Sequence, residues 1–223
     1  MVSQFCPVIH TFKADDAIDN GIINDYQIIV HELQLNKCKG YQAVMKNRSF
    51  ITSEYDNYVY WSRRIDVGSG NMHMLRVMRM KALMEYNTKE KYTKELMKSI
   101  NTKCIVFANT QDQADKLCRY SYHSGNKSSE DNLLLFKEGK IKQLSCVLQL
   151  NEGINIPELR QGIIMHAYGN ERKAAQRIGR LLRLNPNEKA IVHILCYKGT
   201  VDEKWVTDAL EGFDQTKVMW KNF

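Results

Sequence analysis

Short apolar runs alternate with helix-like segments through the second half of this chain, and that alternation constrains the fold most. Runs typical of buried strands lie at 103–108, 144–149, 162–166 and 190–196. Segments with helical spacing follow them, at 111–119, 129–137, 171–184 and 200–213. Strands that alternate with helices are typical of a parallel sheet covered on both faces. The sequence therefore predicts an α/β fold, with helices on both faces of a parallel sheet.

The first hundred residues have a less regular pattern. Residues 26–35 have the pattern of a strand, and 75–100 have the spacing of a helix that breaks near Asn87 and Thr88. Between them, residues 40–70 combine charges and aromatic side chains without a clear period. We therefore predict an insertion at 40–70 within a domain that spans 26–223.

Composition and charge limit the class of protein. The chain has 223 residues, of which 43% are hydrophobic and 26% are charged, so it is neither disordered nor collagen-like. Its formal net charge of +7 permits an anionic partner such as nucleic acid or a nucleotide, without requiring one. No run of about 18 apolar residues occurs, so we expect neither a transmembrane helix nor a membrane partner.

The six cysteines form no CxxC pair. We expect Cys104, Cys146 and Cys196, which lie in apolar runs, to be small core side chains in a reduced, cytoplasmic protein. Cys6 and His10 could supply half of a metal site, but the sequence offers no second half, so we predict no metal.

The strongest candidate for chemistry is the run Gln176-Arg-Ile-Gly-Arg-Leu-Leu-Arg183. On a helix, Gln176, Arg180 and Arg183 share one face because they are four and then three residues apart. Arg177 lies beside Arg180 at a spacing of three. Guanidinium groups bind phosphate oxygens through two hydrogen bonds and keep their charge. The alternative is a solvated basic face near a helix C-terminus.

A polar, glycine-containing loop lies upstream of these arginines. It reads Leu150-Asn-Glu-Gly-Ile-Asn-Ile-Pro157 and follows the predicted strand that ends at Gln149. Ligands of open α/β sheets bind at the carboxyl ends of strands, so this loop is a candidate binding loop. The alternative is an ordinary exit from a strand, ended by Pro157.

Three blocks, at 104–110, 150–157 and 176–183, resemble motifs IV, V and VI of the superfamily 2 helicases in their order and spacing. The intervening His123-Ser-Gly125 and residues 133–139 resemble the spacer of that family. Within that superfamily, the blocks resemble those of phage and bacterial DNA helicases of the UvsW and type III restriction kind. The resemblance implies a RecA-like C-terminal helicase lobe over 26–223. Residues 1–25 resemble the inter-lobe segment that leads into it.

The resemblance assigns roles at the nucleotide. Arg180 and Arg183 would be arginine fingers that stabilise charge on the transferred phosphoryl group, and Gln176 and Arg177 would position them. Gly153 and Asn155 would face the nucleotide and the junction between lobes. Relatives of the DEAD-box kind usually carry Asp where this chain has Asn155. A neutral amide can still hydrogen-bond a ribose hydroxyl but lacks the charge.

The resemblance also assigns contacts to nucleic acid, which we expect to be single-stranded or branched DNA. Asn109 and Thr110, after the strand at 103–108, would face the bound strand. The start of the second block, Gln149, Leu150 and Asn151, would contact its backbone. Hydroxyl and amide side chains suit phosphate contacts, which position a strand without reading its sequence.

The sequence lacks the motifs that a first helicase lobe would supply. It contains neither G-x-x-x-x-G-K-[ST] nor an acidic quartet of the DEAD or DEAH kind after a buried strand. We therefore expect ATP and Mg²⁺ to be bound mainly by a first lobe on another polypeptide. We expect the protein to be cytoplasmic, in the host cytoplasm if the gene is phage-borne. The chain alone is not expected to hydrolyse ATP, whereas the complete helicase would be an ATP-hydrolysing DNA helicase.

Two other functions remain open. One is a non-enzymatic module, derived from a helicase lobe, that binds nucleic acid or protein. It would account for both the missing first lobe and the net charge of +7. The other is a metabolic enzyme on a doubly wound fold, which is less favoured because no G-x-G-x-x-G follows any predicted strand.

Overall fold

A computed structural model describes residues 25–45, 48–68, 70–147, 156–167 and 189–223 of the chain. Its strands are β1 (Tyr26–Leu33), β2 (Tyr41–Met45), β3 (Arg48–Thr52), β4 (Cys104–Ala108), β5 (Ser121–Tyr122), β6 (Gln143–Val147), β7 (Gln161–Ile164), β8 (Ala190–Tyr197) and β9 (Val218–Asn222). Seven of them form one sheet in the order β5-β6-β4-β7-β8-β1-β9. All six pairings in that sheet are parallel, whereas β2 and β3 form a separate antiparallel hairpin.

Helices connect the strands, and several begin at a side-chain cap. The described helices are α1 (Glu54–Asp66), α2 (Met72–Glu85), α3 (Asn87–Ser99), α4 (Gln111–Leu117), α5 (Ser129–Lys137) and α6 (Val201–Leu210), with a short 3₁₀ turn at Gln215–Lys217. Side-chain oxygens of Ser53, Asn71, Thr110 and Thr200 accept backbone N–H groups at the starts of α1, α2, α4 and α6. Such caps satisfy donors that have no partner within the helix.

Two hydrophobic cores cover the two faces of the sheet. One contains Ile105 and Phe107 of β4 together with Phe136 of α5. The other contains Val106 of β4 with side chains of α1 to α4, among them Leu83. Successive residues of a strand point to opposite faces, so β4 contributes to both cores. The prediction of a parallel sheet with helices on both faces is confirmed.

The predicted strands of the second half coincide with β4, β6, β7 and β8 to within about two residues. The predicted break in the long helix is present, and it lies at Tyr86, whose extended backbone (φ −64°, ψ 137°) separates α2 from α3. Residues 40–70 contain the β2–β3 hairpin and α1, and Trp61 of α1, 7% exposed, joins the second core. The predicted helix at 171–184 and the inter-lobe segment at 1–25, except Asp25, lie outside the described residues.

The prediction that Cys104, Cys146 and Cys196 are core side chains is confirmed, because all three are fully buried as free thiols. Within the described ranges, no helix has both the length and the apolarity to cross a membrane. The same ranges contain no cluster of three or more His, Cys, Asp or Glu side chains placed to hold a metal ion. Cys6 and His10 lie outside them.

A buried chain of hydrogen bonds crosses the sheet through two histidines. Nε2 of His193 lies 3.0 Å from Oε1 of Gln161, whose amide Nε2 donates to the hydroxyl of Thr102. A carbonyl oxygen only accepts, so His193 donates from Nε2 and accepts at Nδ1 from Nε2 of His31, 2.9 Å away. His31 then accepts at Nδ1 from the hydroxyl of Tyr92. With these donors and acceptors both imidazoles are neutral, and protonation of Nδ1 of His193 would break its bond to His31.

We expect this pair to make the protein acid-sensitive. Burial, and for His31 also the neighbouring His193, lowers both imidazole pKa values to about 4, with Lys221 adding to the effect. Unfolded histidines titrate near 6.5, so the contribution of the neutral pair to the free energy of unfolding is fully present above that pH. This contribution is lost as the pH falls towards 4, by roughly 2 kcal/mol per histidine at pH 5. Urea denaturation at pH 7 and pH 5 measures the loss. The double variant His31→Gln/His193→Gln cannot titrate there and should lose most of this pH dependence, whereas an unchanged dependence would contradict the assignment.

Candidate nucleotide and nucleic-acid interface

Three neighbouring parallel strands, β6, β4 and β7, lie within or before the three sequence blocks along the chain. Because the strands are parallel, their carboxyl ends lie at the same edge, and β4 lies between β6 and β7. β4 ends at Ala108, directly before the predicted contacts Asn109 and Thr110. The second block begins three residues after the end of β6, and the chain leaves β7 towards the arginine block. This edge is where ligands of open parallel sheets bind.

Most of the predicted site residues lie outside the described part of the chain. Residues 148–155 and 168–188 are not described, so the roles assigned to them stay predictions. The affected residues are Gln149, Leu150, Asn151, Gly153, Asn155, Gln176, Arg177, Arg180 and Arg183.

The described part of the site is the turn between β4 and α4. Thr110 is exposed, and its hydroxyl accepts the N–H of Gln113 at 3.2 Å. The Gln113 side chain reaches back, accepts the N–H of Asn109 at 3.1 Å, and donates to the carbonyl of Met84. Asn109 is half-buried, and its Nδ2 lies 3.0 Å from the sulfur of Met84. Thr110 therefore faces solvent, while Asn109 is directed towards α2.

Gln113 is a positioning residue that was not predicted. A detectable signal existed, because Thr110-Gln-Asp-Gln113 fits the capping-box pattern S/T-x-x-E/Q. In the usual box the fourth side chain accepts the N–H of the capping residue. Here it accepts the N–H of Asn109, one residue earlier, and so orders the last residue before the cap as well.

Replacing Thr110 with alanine is expected to lower the free energy of unfolding by about 1 kcal/mol, because the cap of α4 is lost. Thr110→Ser keeps the hydroxyl and should retain most of that stability. Urea denaturation of both variants checks the difference. Equal losses in the two variants would show that the methyl group, and not the cap, stabilises the turn.

The turn after β5 is packed against the start of α4. Nε2 of His123 lies 2.9 Å from Oδ1 of Asp115, and this bond lowers the pKa of the Asp115 carboxyl. Ser129 donates its hydroxyl to the carbonyl of His123 and accepts its N–H. A Cβ at Gly125 would collide only with the end of the exposed Gln111 side chain, which is free to move aside.

A buried ion pair holds the carboxyl end of β7. Nζ of Lys89, in α3, lies 2.6 Å from Oδ2 of Asp202 in α6, and the two side chains are 0% and 2% exposed. Lys89 also donates to the carbonyl of Met165 at 2.9 Å and lies 3.4 Å from Nδ1 of His166. Asp202 accepts the N–H of Tyr197. Three elements thus meet where the chain leaves β7 towards the arginine block.

Lys89, like Gln113, was not predicted from the sequence to be important for this region. It is one of four lysines in α3, and no spacing distinguishes it from those that face solvent. Its burial follows from the approach of β7 and α6, which only the folded chain brings together.

Comparison with known proteins agrees with this geometry. The sequence profile of the helicase conserved C-terminal domain family matches residues 87–185, which include all three blocks. The chain is 29% identical over 119 residues to the DNA 3'-5' translocase XPB2 of Sulfurisphaera tokodaii. That alignment covers 51% of this chain and 27% of the relative, so the chain spans about a quarter of the relative's length.

Solved structures share the fold at low sequence identity. The DEAD-box protein SrmB of E. coli superposes with a TM-score of 0.52 at 11% identity, over 90% of this chain and 91% of that one. The Type ISP restriction-modification enzyme LlaBIII, solved bound to DNA, gives 0.56 at 11% identity over 95% and 16%. S. cerevisiae Dbp5, solved with RNA and ADP BeF3, gives 0.53 at 12% identity over 99% and 47%. At these identities the likeness establishes the RecA-like fold.

Proposed function

We propose that this chain is the second, RecA-like motor lobe of an ATP-dependent DNA motor of the superfamily 2 helicase or translocase kind. The observation that carries the proposal is the position of the three blocks. All three lie within the matched residues 87–185. In chain order the first contains β4, and the other two come after β6 and β7, the strands that flank β4 in the sheet. A nucleotide and a nucleic-acid strand could therefore be contacted from a single edge of the sheet.

At the nucleotide, the arginine block would supply the charge. Arg180 and Arg183 would stabilise the negative charge that spreads over the transferred phosphoryl group, while Gln176 and Arg177 would orient them. The anchored end of β7 supports this role, since the buried Lys89 fixes the point where the chain departs towards the block. Gly153 and Asn155 would approach the nucleotide from the loop after β6.

ATP and Mg²⁺ would be held mainly by a P-loop and a metal-binding carboxylate on a first lobe. The sequence of this chain contains neither motif, so the proposed motor requires a polypeptide segment that carries both.

At the nucleic acid, Asn109 and Thr110 would contact the strand together with Gln149, Leu150 and Asn151. The exposed Thr110 lies on a turn ordered by Gln113, so its contact surface is preorganised. DNA is the proposed substrate because the curated relative is a DNA translocase, and single-stranded or branched DNA is the form we expect.

The test is ATP hydrolysis by the assembled motor. The segment that carries the P-loop is assayed with single-stranded DNA, first alone and then with this chain. The proposal expects DNA-stimulated hydrolysis only when both are present. DNA binding by this chain without any effect on hydrolysis would instead support the non-enzymatic binding module.

A further inference from the structure

The outward face of α1 forms a shallow groove that the proposed motor does not use. The residues that line this face are one, three or four positions apart along the helix, so they lie in one stripe. The groove has a volume of about 560 Å³. We call it the α1 groove, and it is lined by Tyr55, Asp56, Val59, Tyr60, Arg63, Arg64 and Val67.

Aromatic rings and cations are paired in and beside this groove. Tyr55 and Tyr60 are 43% and 39% exposed, although each is a large ring on a helix that packs on the core. The guanidinium of Arg64 lies 5.8 Å from the centre of the Tyr60 ring and donates to its hydroxyl at 3.1 Å. The ammonium of Lys37 lies 5.3 Å from the centre of the Tyr55 ring. Rings and cations in this arrangement can bind bases and phosphates side by side.

The groove lies on a rigid platform. The buried carboxylate of Glu54, at the start of α1, accepts the N–H and the hydroxyl of Thr88 and the N–H of Asn36. The hydroxyl of Tyr86 donates to Oδ1 of Asn57 at 2.9 Å. These bonds fix the inner face of α1 to α3 and to the end of α2, so the outer face is presented in one orientation.

The helix α1 begins near the same sheet edge as the proposed site, because the N–H of Tyr55 donates to the carbonyl of Asn36, just after β1. The chain leaves the carboxyl end of β1, forms the hairpin and enters α1, and β1 is three strands from β4 in the sheet. Three strand spacings amount to roughly 14 Å. A strand of nucleic acid that contacts Thr110 could therefore continue along this edge towards α1.

The charge around the groove favours an anionic occupant. Residues 36–67 contain six lysines and arginines against three acidic residues. Of the acidic residues, Glu54 is buried in the bonds described above, and Asp56 accepts the hydroxyl of Ser53 at 2.7 Å. Arg63 is exposed in the groove, next to Arg64.

We propose that the α1 groove binds single-stranded nucleic acid, with bases stacked on Tyr55 and Tyr60 and phosphates held by Arg63 and Arg64. This inference deepens the proposed function and rests on it, because it extends the path of the same strand. Paired rings and arginines favour nucleic acid over an acidic protein surface, since stacking needs a flat partner with a π-face.

Binding of fluorescently labelled oligothymidylate to the chain tests the proposal by anisotropy across a salt series. Tyr55→Ala and Tyr60→Ala should each weaken binding by about tenfold, whereas Tyr55→Phe and Tyr60→Phe keep the rings and should stay near wild type. Arg63→Ala with Arg64→Ala should reduce the slope of log affinity against log salt by about 1.4, since each phosphate contact on a single strand contributes about 0.7.

Arg119→Ala is the matched control. Arg119 lies 5.8 Å from the ring centre of Tyr120, as Arg64 does from Tyr60, but it precedes β5 and so lies at the opposite edge of the sheet. This variant should bind like wild type. An equal loss in Arg119→Ala would overturn the proposal in favour of general charge attraction.

Unchanged affinity in the tyrosine and arginine variants of the groove would also overturn the proposal, and would leave the groove to a protein partner. Failure of this inference is separable from failure of the proposed function. Groove variants that bind normally in a motor whose hydrolysis depends on this chain would refute the groove alone. If the groove variants lose DNA affinity as expected but the chain never supports ATP hydrolysis, the proposed motor function alone would be refuted.

Discussion

Replacing both Arg180 and Arg183 with alanine is expected to lower the DNA-stimulated kcat of the assembled motor by about a thousandfold or more. The reason is electrostatic. Arginines that meet the transferred phosphoryl group stabilise charge that develops mainly in the transition state, so they accelerate the reaction more than they tighten binding. The expected signature is a large fall in kcat with a smaller change in the KM for ATP.

Three variants make this test specific. Arg180→Lys and Arg183→Lys keep the charge but lose the planar fork, so their kcat should lie between wild type and alanine. Arg119→Ala removes an exposed arginine at the opposite edge of the sheet and should leave kcat unchanged. If the variant with alanine at both Arg180 and Arg183 hydrolyses ATP at the wild-type rate, the assignment of these residues as arginine fingers is wrong.

Replacing Lys89 with alanine is expected to lower the free energy of unfolding by about 3–5 kcal/mol, because Asp202 would remain buried without its counter-ion. The pair is separated by 2.6 Å and is almost fully excluded from water. The carbonyl of Met165 would lose a charged donor at the same time. For a chain of this size the loss corresponds to a fall in Tm of roughly 10 °C, which thermal denaturation followed by circular dichroism measures.

Two controls separate the charge effect from simple loss of a side chain. The double variant Lys89→Met/Asp202→Asn removes both charges while nearly keeping the side-chain volumes, so it should be considerably more stable than Lys89→Ala. Lys98→Ala removes one member of an exposed pair with Glu95, whose side chains are 71% and 70% exposed. It should change stability by less than about 1 kcal/mol. A double variant as unstable as Lys89→Ala would show that packing dominates at this position.

The sequence was most informative where the period of apolar residues is regular. The runs at 103–108, 144–149, 162–166 and 190–196 become β4, β6, β7 and β8, because a strand buried on both faces is apolar throughout. The arrangement with helices on both faces follows from the same alternation. The turn at Asn109 and Thr110 was also placed correctly at a strand end, since a buried strand must end before its first polar residues.

The α1 groove shows how a readable signal was missed. Tyr55, Val59, Tyr60, Arg63 and Arg64 recur at helical spacing, but the face they form is aromatic and basic and not simply apolar. Residues 40–70 therefore lacked the contrast between an apolar and a polar face that identifies most helices. Their small apolar contribution to the core comes chiefly from Trp61.

The sequence by itself determined the class of fold and the order of strands and helices along the chain, because these depend on the local period of apolar residues. Its short blocks also carried the resemblance to the helicases. Only the tertiary structure decided which polar groups are buried and with what partners. Lys89 meets Asp202 across 113 positions of the chain, and His31 meets His193 across 162. Local pattern carries no information about such pairs, because their energies depend on exclusion of water by elements that become neighbours only on folding.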